Sequence, residues 1–300
     1  MGRVSSVPGI CEARFFAGSS APAGAPPDLL IEVPHGATSA AHYQRVHARL
    51  RGPLPDDLIE FFHVNTDSGA PEYARALAER LVSLEPARSV LVLNSEIPRT
   101  FIDCNRVLDA SPEEYKAGKV TPGLPPYIRD PHDQELLREL HAAWVRVSDE
   151  SWRWCGEGGG LGLMAHTYAP RSLDVEVDDA IVASLHRAYE SEASWPLRPE
   201  IDLIARDPSG KVVSEAMVQR IAAELTADGY QTAISGTYPL HPSTLAFHRA
   251  QRYQPRVVCL EVRRDLLVER FVPFVELQVS PAKVARVVTP LVRAVRASWT

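Results

Sequence analysis

The sequence predicts an α/β fold with a mixed, mostly parallel central sheet flanked by helices. Short, largely apolar runs occur at 29–33, 89–96, 161–165 and 257–262. Continuous apolar runs are typical of strands that are buried on both faces of a parallel sheet. Between these runs lie longer segments whose apolar residues recur at helical spacing. Because the two patterns alternate along the chain, they favour an α/β arrangement.

Composition and charge limit the classes of protein that are compatible with this chain. Its 300 residues are 45% hydrophobic and 23% charged, which is ordinary for a globular protein. The net charge of −6 gives no basic footprint for nucleic acid. No apolar run reaches about 18 residues, so we expect no membrane partner. The four cysteines lie far apart without a CxxC motif, which favours a reducing cytoplasm over disulfides or a cysteine zinc site.

The first predicted strand leads directly to a candidate functional histidine. Residues 1–28 end in a Pro/Ala/Gly-rich stretch and are predicted to be an irregular lead-in, with a single catalytic domain over 29–300. Pro34 ends the strand at 29–33, because proline has no N–H to donate. His35 follows on a turn of small residues, and 40–50 is a possible helix. His35 could therefore be a metal ligand, a proton carrier or a plain turn residue.

The next helix is predicted over Ala70–Leu84 and places a carboxylate at its start. Four apolar residues recur at helical spacing, namely Tyr73, Leu77, Leu81 and Leu84. Ser68 and Pro71 are helix-start signals. Asp67 lies just before them, where it could favour the helix N-terminus or bind a metal.

The remaining elements continue the alternation. We expect strands at 89–96, 100–104, 161–165, 201–205 and 257–262, and helices at 133–150, 176–190, 211–228 and 281–297. Residues 111–132 carry five prolines and two glycines and are predicted to form a long loop. His166 ends the strand at 161–165, just as His35 follows the first strand, and Glu261 lies within the strand at 257–262.

These polar residues form a candidate catalytic set. Ligands of open α/β sheets bind outside the carboxyl ends of the strands. Two histidines and a carboxylate, such as His35, His166 and Asp67, are the usual protein ligands of a catalytic zinc. A separate glutamate, Glu261, could then act as general base. No two members are neighbours in sequence, so each histidine could equally be structural.

A second group, Arg99, Asn105 and Arg106, could bind a substrate carboxylate. Two guanidinium groups beside an amide can form a fork for such an anion. The alternative is a surface ion pair with Asp103 or Asp109.

The motifs as a set resemble those of N-formylglutamate amidohydrolases. The matching pieces, in order, are VPHG (33–36), the Asp67 junction, IPRTFIDCNR (97–106), MAHTY (164–168) and LEVRRDLL (260–267). That family shows PHSG, an acidic residue, SRYVIDLNR, DxHS and an EINR-like strand. The resemblance spans residues 29–270. It implies a phosphorylase/hydrolase-like fold similar to that of zinc carboxypeptidases.

The resemblance also implies an activity and roles for residues. We expect hydrolysis of the N-acyl amide of an acidic amino acid or a short peptide, with one Zn²⁺ per chain. His35, Asp67 and His166 would be the metal ligands. Glu261 would be the general base. Arg106, with Asn105 and Arg99, would bind the substrate carboxylate and polarise the scissile carbonyl.

The sequence departs from the family in three places. Met164 stands where the family has aspartate, and its loss could weaken metal binding if that aspartate orients a ligand. Thr167 replaces a serine. The loop at 237–253 looks unlike the family's Gly-rich loop. Its polar residues could shape a different pocket or form a solvated helix face, and the second alternative is favoured for His248 and Arg252; they are His241, Thr244, His248, Arg249 and Arg252.

Two other functions remain open from the sequence. A carboxypeptidase-like peptide hydrolase would keep the same site and differ in pocket depth and in the arginines that reach a terminal carboxylate. A relative that binds an acidic ligand without turnover is favoured only by Met164. The joint presence of His35, His166 and Glu261 favours an enzyme instead.

Overall fold

A seven-stranded sheet with helices on both faces forms the centre of the protein, whose computed structural model describes residues 4–299. The strands are β1 (Cys11–Ala17), β2 (Leu29–Val33), β3 (Ser89–Ser95), β4 (Leu161–Tyr168), β5 (Ile201–Ile204), β6 (Thr232–Ile234) and β7 (Val257–Arg263). The helices are α1 (Ala40–His47), α2 (Leu58–Asn65), α3 (Ala70–Leu84), α4 (Pro112–Ala117), α5 (Pro131–Glu157), α6 (Ile181–Glu190), α7 (Glu215–Ala227), α8 (Leu245–Tyr253) and α9 (Pro281–Arg296).

The strand order confirms the predicted fold class. The strands run β1-β3-β2-β4-β7-β5-β6 across the sheet. Four neighbouring pairs are parallel (β2 with β3, β2 with β4, β4 with β7, β5 with β6). Two pairs are antiparallel, namely β1 with β3 and β5 with β7. The sheet is therefore mixed and mostly parallel, with β2, β4 and β7 adjacent at its centre.

Alternation along the central strands directs the polar candidates to one face. Leu163 and Ala165 of β4 and Leu260 of β7 pack in one hydrophobic core with α3, α7 and α9. Side chains in a strand alternate between faces. His166 and Glu261 therefore lie on the opposite face, which α5 and α8 cover.

Several predicted elements differ from the structure. Residues 11–17, inside the predicted lead-in, form β1, which the sequence pattern does not reveal because an edge strand is only half buried. The predicted strand at 100–104 is instead a turn, in which the Phe101 N–H donates to the Pro98 carbonyl at 3.0 Å. The predicted loop at 111–132 contains α4, and the helix face considered within 237–253 belongs to α8. The sequence pattern does not predict α2 and β6. None of the described helices is long and apolar enough to cross a bilayer.

The approach of α5 to the sheet depends on a glycine in β4. A Cβ on Gly162 would lie 2.2 Å from Cζ3 of Trp152, which α5 carries. Both the ring and the strand are buried, so that neither can move freely. The small residue therefore sets the distance between helix and sheet.

We predict that Gly162→Ala destabilises the fold by about 1–3 kcal/mol, because overpacking a dense core costs that much. Urea unfolding followed by circular dichroism measures the loss. Trp152→Phe shortens the ring at the contact, so adding it to Gly162→Ala should recover part of the loss in a double-mutant cycle. Additive effects of the two substitutions would contradict this explanation.

Candidate active site

Three buried side chains predicted as metal ligands converge at the carboxyl end of the sheet. His35 Nδ1 lies 3.2 Å from Asp67 Oδ2 and 3.2 Å from His166 Nδ1. His166 Nδ1 lies 3.1 Å from the same Asp67 oxygen. The three side chains are 97–99% buried, with relative exposures of 3%, 1% and 3%. One ligand atom from each of the three residues therefore lies close enough to the others to bind a single metal ion.

The fold explains why residues so far apart in sequence meet. His35 follows β2, and His166 lies near the end of β4, its parallel neighbour. Asp67 lies just before α3 and also accepts the backbone N–H of Thr167 at 3.2 Å. The turn after His35 passes so close to β3 that a Cβ on Gly36 would lie 1.7 Å from Asn94 Oδ1. A glycine at this position is what allows the turn.

The distances among the three ligand atoms fit a tetrahedral divalent ion. Zinc binds nitrogen and oxygen at about 2.0–2.2 Å, so two of its tetrahedral ligands lie about 3.3 Å apart. The observed separations are 3.1–3.2 Å. Two imidazoles and a carboxylate are also donors that zinc prefers. The residues present therefore fit the ion that the family resemblance implies.

Asp103 orients His35 from behind. The Nε2–H of His35 donates to Asp103 Oδ1 at 2.7 Å, which leaves Nδ1 directed at the ligand cluster. A carboxylate behind a ligating histidine fixes its tautomer and ring orientation. Burial by itself raises the pKa of Asp103, but Arg106, His35 and Arg99 outweigh it and hold that pKa well below its usual range. Asp103 is thus an anion at neutral pH.

Asp67 is likewise held as an anion. Burial raises the pKa of its carboxyl, and His35 and His166 outweigh that effect, so the net pKa is far below the usual value. An ionised carboxylate is the form that binds a metal.

Glu261 is a partly buried glutamate whose Oε2 is buried and unused. It stands beside His166 in the register of β4 and β7, and it lines the adjoining cavity. No described residue forms a hydrogen bond with its Oε2. Burial raises the pKa of Glu261 to about 7, against the lowering effect of the charges on His166, Arg198 and Arg99. A carboxyl group poised near neutral pH in a cleft suits a general acid–base role.

A cavity of about 270 Å³ opens in front of these residues. Most of the predicted site residues line it, namely His35, Arg99, Asn105, Arg106, His166, Thr244 and Glu261. His241 and Arg249, predicted to shape the substrate pocket, do not line it. Arg249 faces α5 from α8 and contacts Asp149 and Ser148 Oγ, and His241 Nδ1 lies 3.0 Å from Ser243 Oγ.

The predicted carboxylate fork is engaged with protein groups. Arg99 and Arg106 form ion pairs with Asp103 at 2.9 and 3.2 Å, in the interior and not on the surface. Arg106 Nε also donates to the Thr121 carbonyl at 3.0 Å. Asn105 Oδ1 accepts the N–H of Ala246 at 2.9 Å. These contacts fix the loop that carries Asp103.

Thr244 has a structural contact as well. Its hydroxyl accepts the N–H of Phe247 at 3.3 Å and so caps α8. The Thr244 hydroxyl therefore accepts a hydrogen bond from the first turn of α8, which is the role of a helix N-cap.

Three arginines that line the cavity, Arg171, Arg198 and Arg264, have no ion pair among the described residues. Arg171 donates to the Trp195 carbonyl at 2.8 Å. Arg264 donates to Thr167 Oγ1 at 3.3 Å and to the Val64 carbonyl. Arg198 donates to Tyr238 Oη at 2.8 Å, and its Nε has no hydrogen-bond partner in the described chain. Arg264 follows Glu261 by three residues in LEVRRDLL, which is a signal in the sequence. Nothing in the sequence marks Arg198.

Met164 is completely buried and leaves His166 less supported than His35. Nε2 of His166 has no hydrogen-bond partner within residues 4–299. Ligating histidines usually donate their second N–H to a carboxylate or carbonyl. The contrast with the Asp103 contact of His35 is in line with the loss of an aspartate at 164.

Comparison with known proteins finds the same fold. No protein-family model and no curated protein matches the sequence. The crystal structure of N-formylglutamate amidohydrolase from Ralstonia eutropha is 17% identical and covers 96% of this chain and 98% of its own, with a TM-score of 0.54. The crystal structure of a gene product from Agrobacterium tumefaciens is 15% identical and covers 97% of this chain and 94% of its own, with a TM-score of 0.59. These matches support the fold and leave activity open.

A metallo-carboxypeptidase from Burkholderia cenocepacia is more distant. It is 11% identical and covers 96% of this chain and 61% of its own. The TM-score of 0.36 is too low to support a conclusion.

We predict that His141 lowers the stability of the metal-free protein as the pH falls from 8 to 5.5, whereas Glu261, whose pKa is raised to about 7, acts in the opposite direction over the same range. Burial lowers the pKa of His141, whose Nε2 lies 3.1 Å from the Arg106 carbonyl. A lowered folded-state pKa means that the unfolded state, with a pKa near 6.5, binds the proton first, so stability is lost below that pH. The lowered carboxyl pKa values of Asp67 and Asp103 affect stability only at more acidic pH, below about 4.

His141→Gln removes the titrating group and keeps a donor. Urea unfolding with a chelator present measures the unfolding free energy at pH 8 and at pH 5.5. Relative to its value at pH 8, the free energy at pH 5.5 should be higher in the variant than in the wild type by about 1 kcal/mol. The same pH dependence in both proteins would show that His141 does not contribute.

Proposed function

We propose that the protein is a zinc-dependent amidohydrolase that cleaves the N-acyl amide of an acidic amino acid or a related small substrate, of the N-formyl type. The observation that carries the proposal is the unpartnered Glu261 carboxylate beside three buried ligand atoms at 3.1–3.2 Å from one another. The shared fold with an N-formylglutamate amidohydrolase and the order of the motifs support it.

His35, Asp67 and His166 would hold the metal. When bound, zinc supplies a Lewis acid that polarises a carbonyl group and lowers the pKa of water towards neutrality. Asp103 keeps the Nδ1 of His35 directed at the site. The low pKa of Asp67 keeps a negative charge there at neutral pH.

Glu261 acts as the general base. Glu261 lines the cavity, and its carboxylate takes a proton from the attacking water and then delivers it to the nitrogen of the leaving amine. A pKa near 7 lets the carboxyl both accept and return a proton. The catalytic set is therefore complete without a further titrating side chain.

The substrate carboxylate binds to Arg264 and Arg198. These guanidinium groups line the cavity without an ion pair in residues 4–299, whereas Arg99 and Arg106 are paired with Asp103. Arg264 is buried, and a buried cation without a counter-charge is costly, so that an anionic substrate would remove that cost. The roles of Arg99 and Arg106 in this proposal are to hold Asp103 and to raise the positive potential of the cavity.

We predict that Glu261→Gln lowers kcat about 10²- to 10⁴-fold on N-formyl-L-glutamate, because a general base contributes that much. Amine release measures turnover, and mass spectrometry of bound zinc should give the same metal content as the wild type. Glu72→Gln, which alters a partly buried carboxylate on α3, is the matched control and should keep full activity.

No turnover of any N-acyl amino acid by the zinc-loaded wild type would contradict the proposal. Release of free C-terminal residues from peptides, with N-acyl amino acids untouched, would favour a carboxypeptidase-like enzyme.

We also predict that Arg198→Met raises KM for N-formyl-L-glutamate about 10- to 100-fold, the usual effect of losing a hydrogen bond between charged groups. The same variant should change KM little when the α-carboxylate of the substrate is replaced by a carboxamide. Steady-state kinetics on both substrates test this. Equal losses on the two substrates would show that Arg198 does not bind the carboxylate.

A further inference from the structure

The chain between β4 and α6 presents an apolar surface to the cavity. We call residues 173–178 the strap. Its side chains alternate, with Leu173, Val175 and Val177 partly buried and facing the cavity. The intervening acidic residues at 174, 176 and 178 are exposed. Apolar and charged side chains alternate in this way when an extended chain has one side in contact with protein and the other exposed to solvent.

Neighbouring helices extend this apolar wall. Ile181 and Leu185 of α6 are buried and line the same cavity, as do Phe61 and Val64 of α2. None of these four side chains can donate or accept a hydrogen bond. The wall therefore offers a substrate contact area and no polar recognition.

The apolar wall forms one side of the cavity of about 270 Å³, and the arginines and Glu261 line another part of it. A formyl group has two non-hydrogen atoms and offers little apolar surface to such a wall. A formylated acidic substrate would engage the arginines and Glu261 and leave the strap facing water.

We propose that the substrate carries an apolar group larger than formyl, which packs against the strap and α6 while its carboxylate binds the arginines. This inference rests on the proposed amidohydrolase function and names the substrate class. The apolar group is either the acyl chain or the side chain of the amino acid. Both groups would make the same apolar contacts with the strap, so two series of compounds, one for each group, are needed to distinguish them.

The first experiment compares kcat/KM in two series with the zinc-loaded protein. One series is N-formyl-, N-acetyl-, N-butyryl- and N-hexanoyl-L-glutamate. The other is N-formyl-glycine, -L-leucine and -L-phenylalanine. Burial of each methylene is worth about a fourfold gain, so one series should rise by that factor per added carbon. Turnover with no rise in either series would overturn the inference and leave the proposed function intact.

A pair of matched variants tests whether the strap is responsible. The double variant Val175→Ser, Val177→Ser changes the inward side chains, and Asp174→Ser, Glu176→Ser changes the outward ones. In the first, the ratio of kcat/KM for the longest substrate to that for the formyl substrate should fall at least tenfold, since several apolar contacts are lost. The second should keep the wild-type ratio. Equal ratios in the two variants would overturn the inference.

Binding of acyl products separates this inference from the proposed reaction. Calorimetric titration with acetate, butyrate and hexanoate needs no turnover. Affinity that rises with chain length in the wild type, and not in Val175→Ser, Val177→Ser, would support the apolar subsite even if no substrate were hydrolysed. Flat affinity, together with flat kinetics in the side-chain series, would contradict it.

Discussion

The structure depends on the convergence of three buried donor atoms, Nδ1 of His35, Nδ1 of His166 and Oδ2 of Asp67. At 3.1–3.2 Å from one another, two imidazole nitrogens and a carboxylate oxygen place three potential ligand atoms in one buried site. The histidines lower the pKa of Asp67, so that its carboxyl group is an anion there. A divalent ion would bind all three donor atoms at once.

The sheet brings these donors together by simple geometry. β2 and β4 are parallel neighbours, so that their carboxyl ends deliver His35 and His166 to one place. Alternation along β4 and β7 directs His166 and Glu261 to the same face. The cavity next to that face is lined partly by arginines and the Glu261 carboxylate and partly by apolar side chains of α6 and the strap.

Much of the frame could be predicted from the sequence, because strands buried on both faces carry continuous apolar runs. Polar residues placed at the ends of such runs, as His166 is, stand out for the same reason. The position of Asp103 behind His35 could not be predicted, since the bond joins a turn residue to a side chain 68 positions away. The position of Arg198 at the cavity could not be predicted either, because the loop before β5 carries it there. Arg249 shows the reverse case, because the face of α8 that meets the cavity depends on how that helix packs on α5.

The most direct test of the central claim is zinc stoichiometry after removal and reloading of the metal. Inductively coupled plasma mass spectrometry would compare the wild type with His166→Ala and with His248→Ala, which changes an exposed histidine on α8. The account predicts one zinc per chain for the wild type and for His248→Ala, and none retained by His166→Ala at equal folded content. The same zinc content in His166→Ala as in the wild type would contradict it.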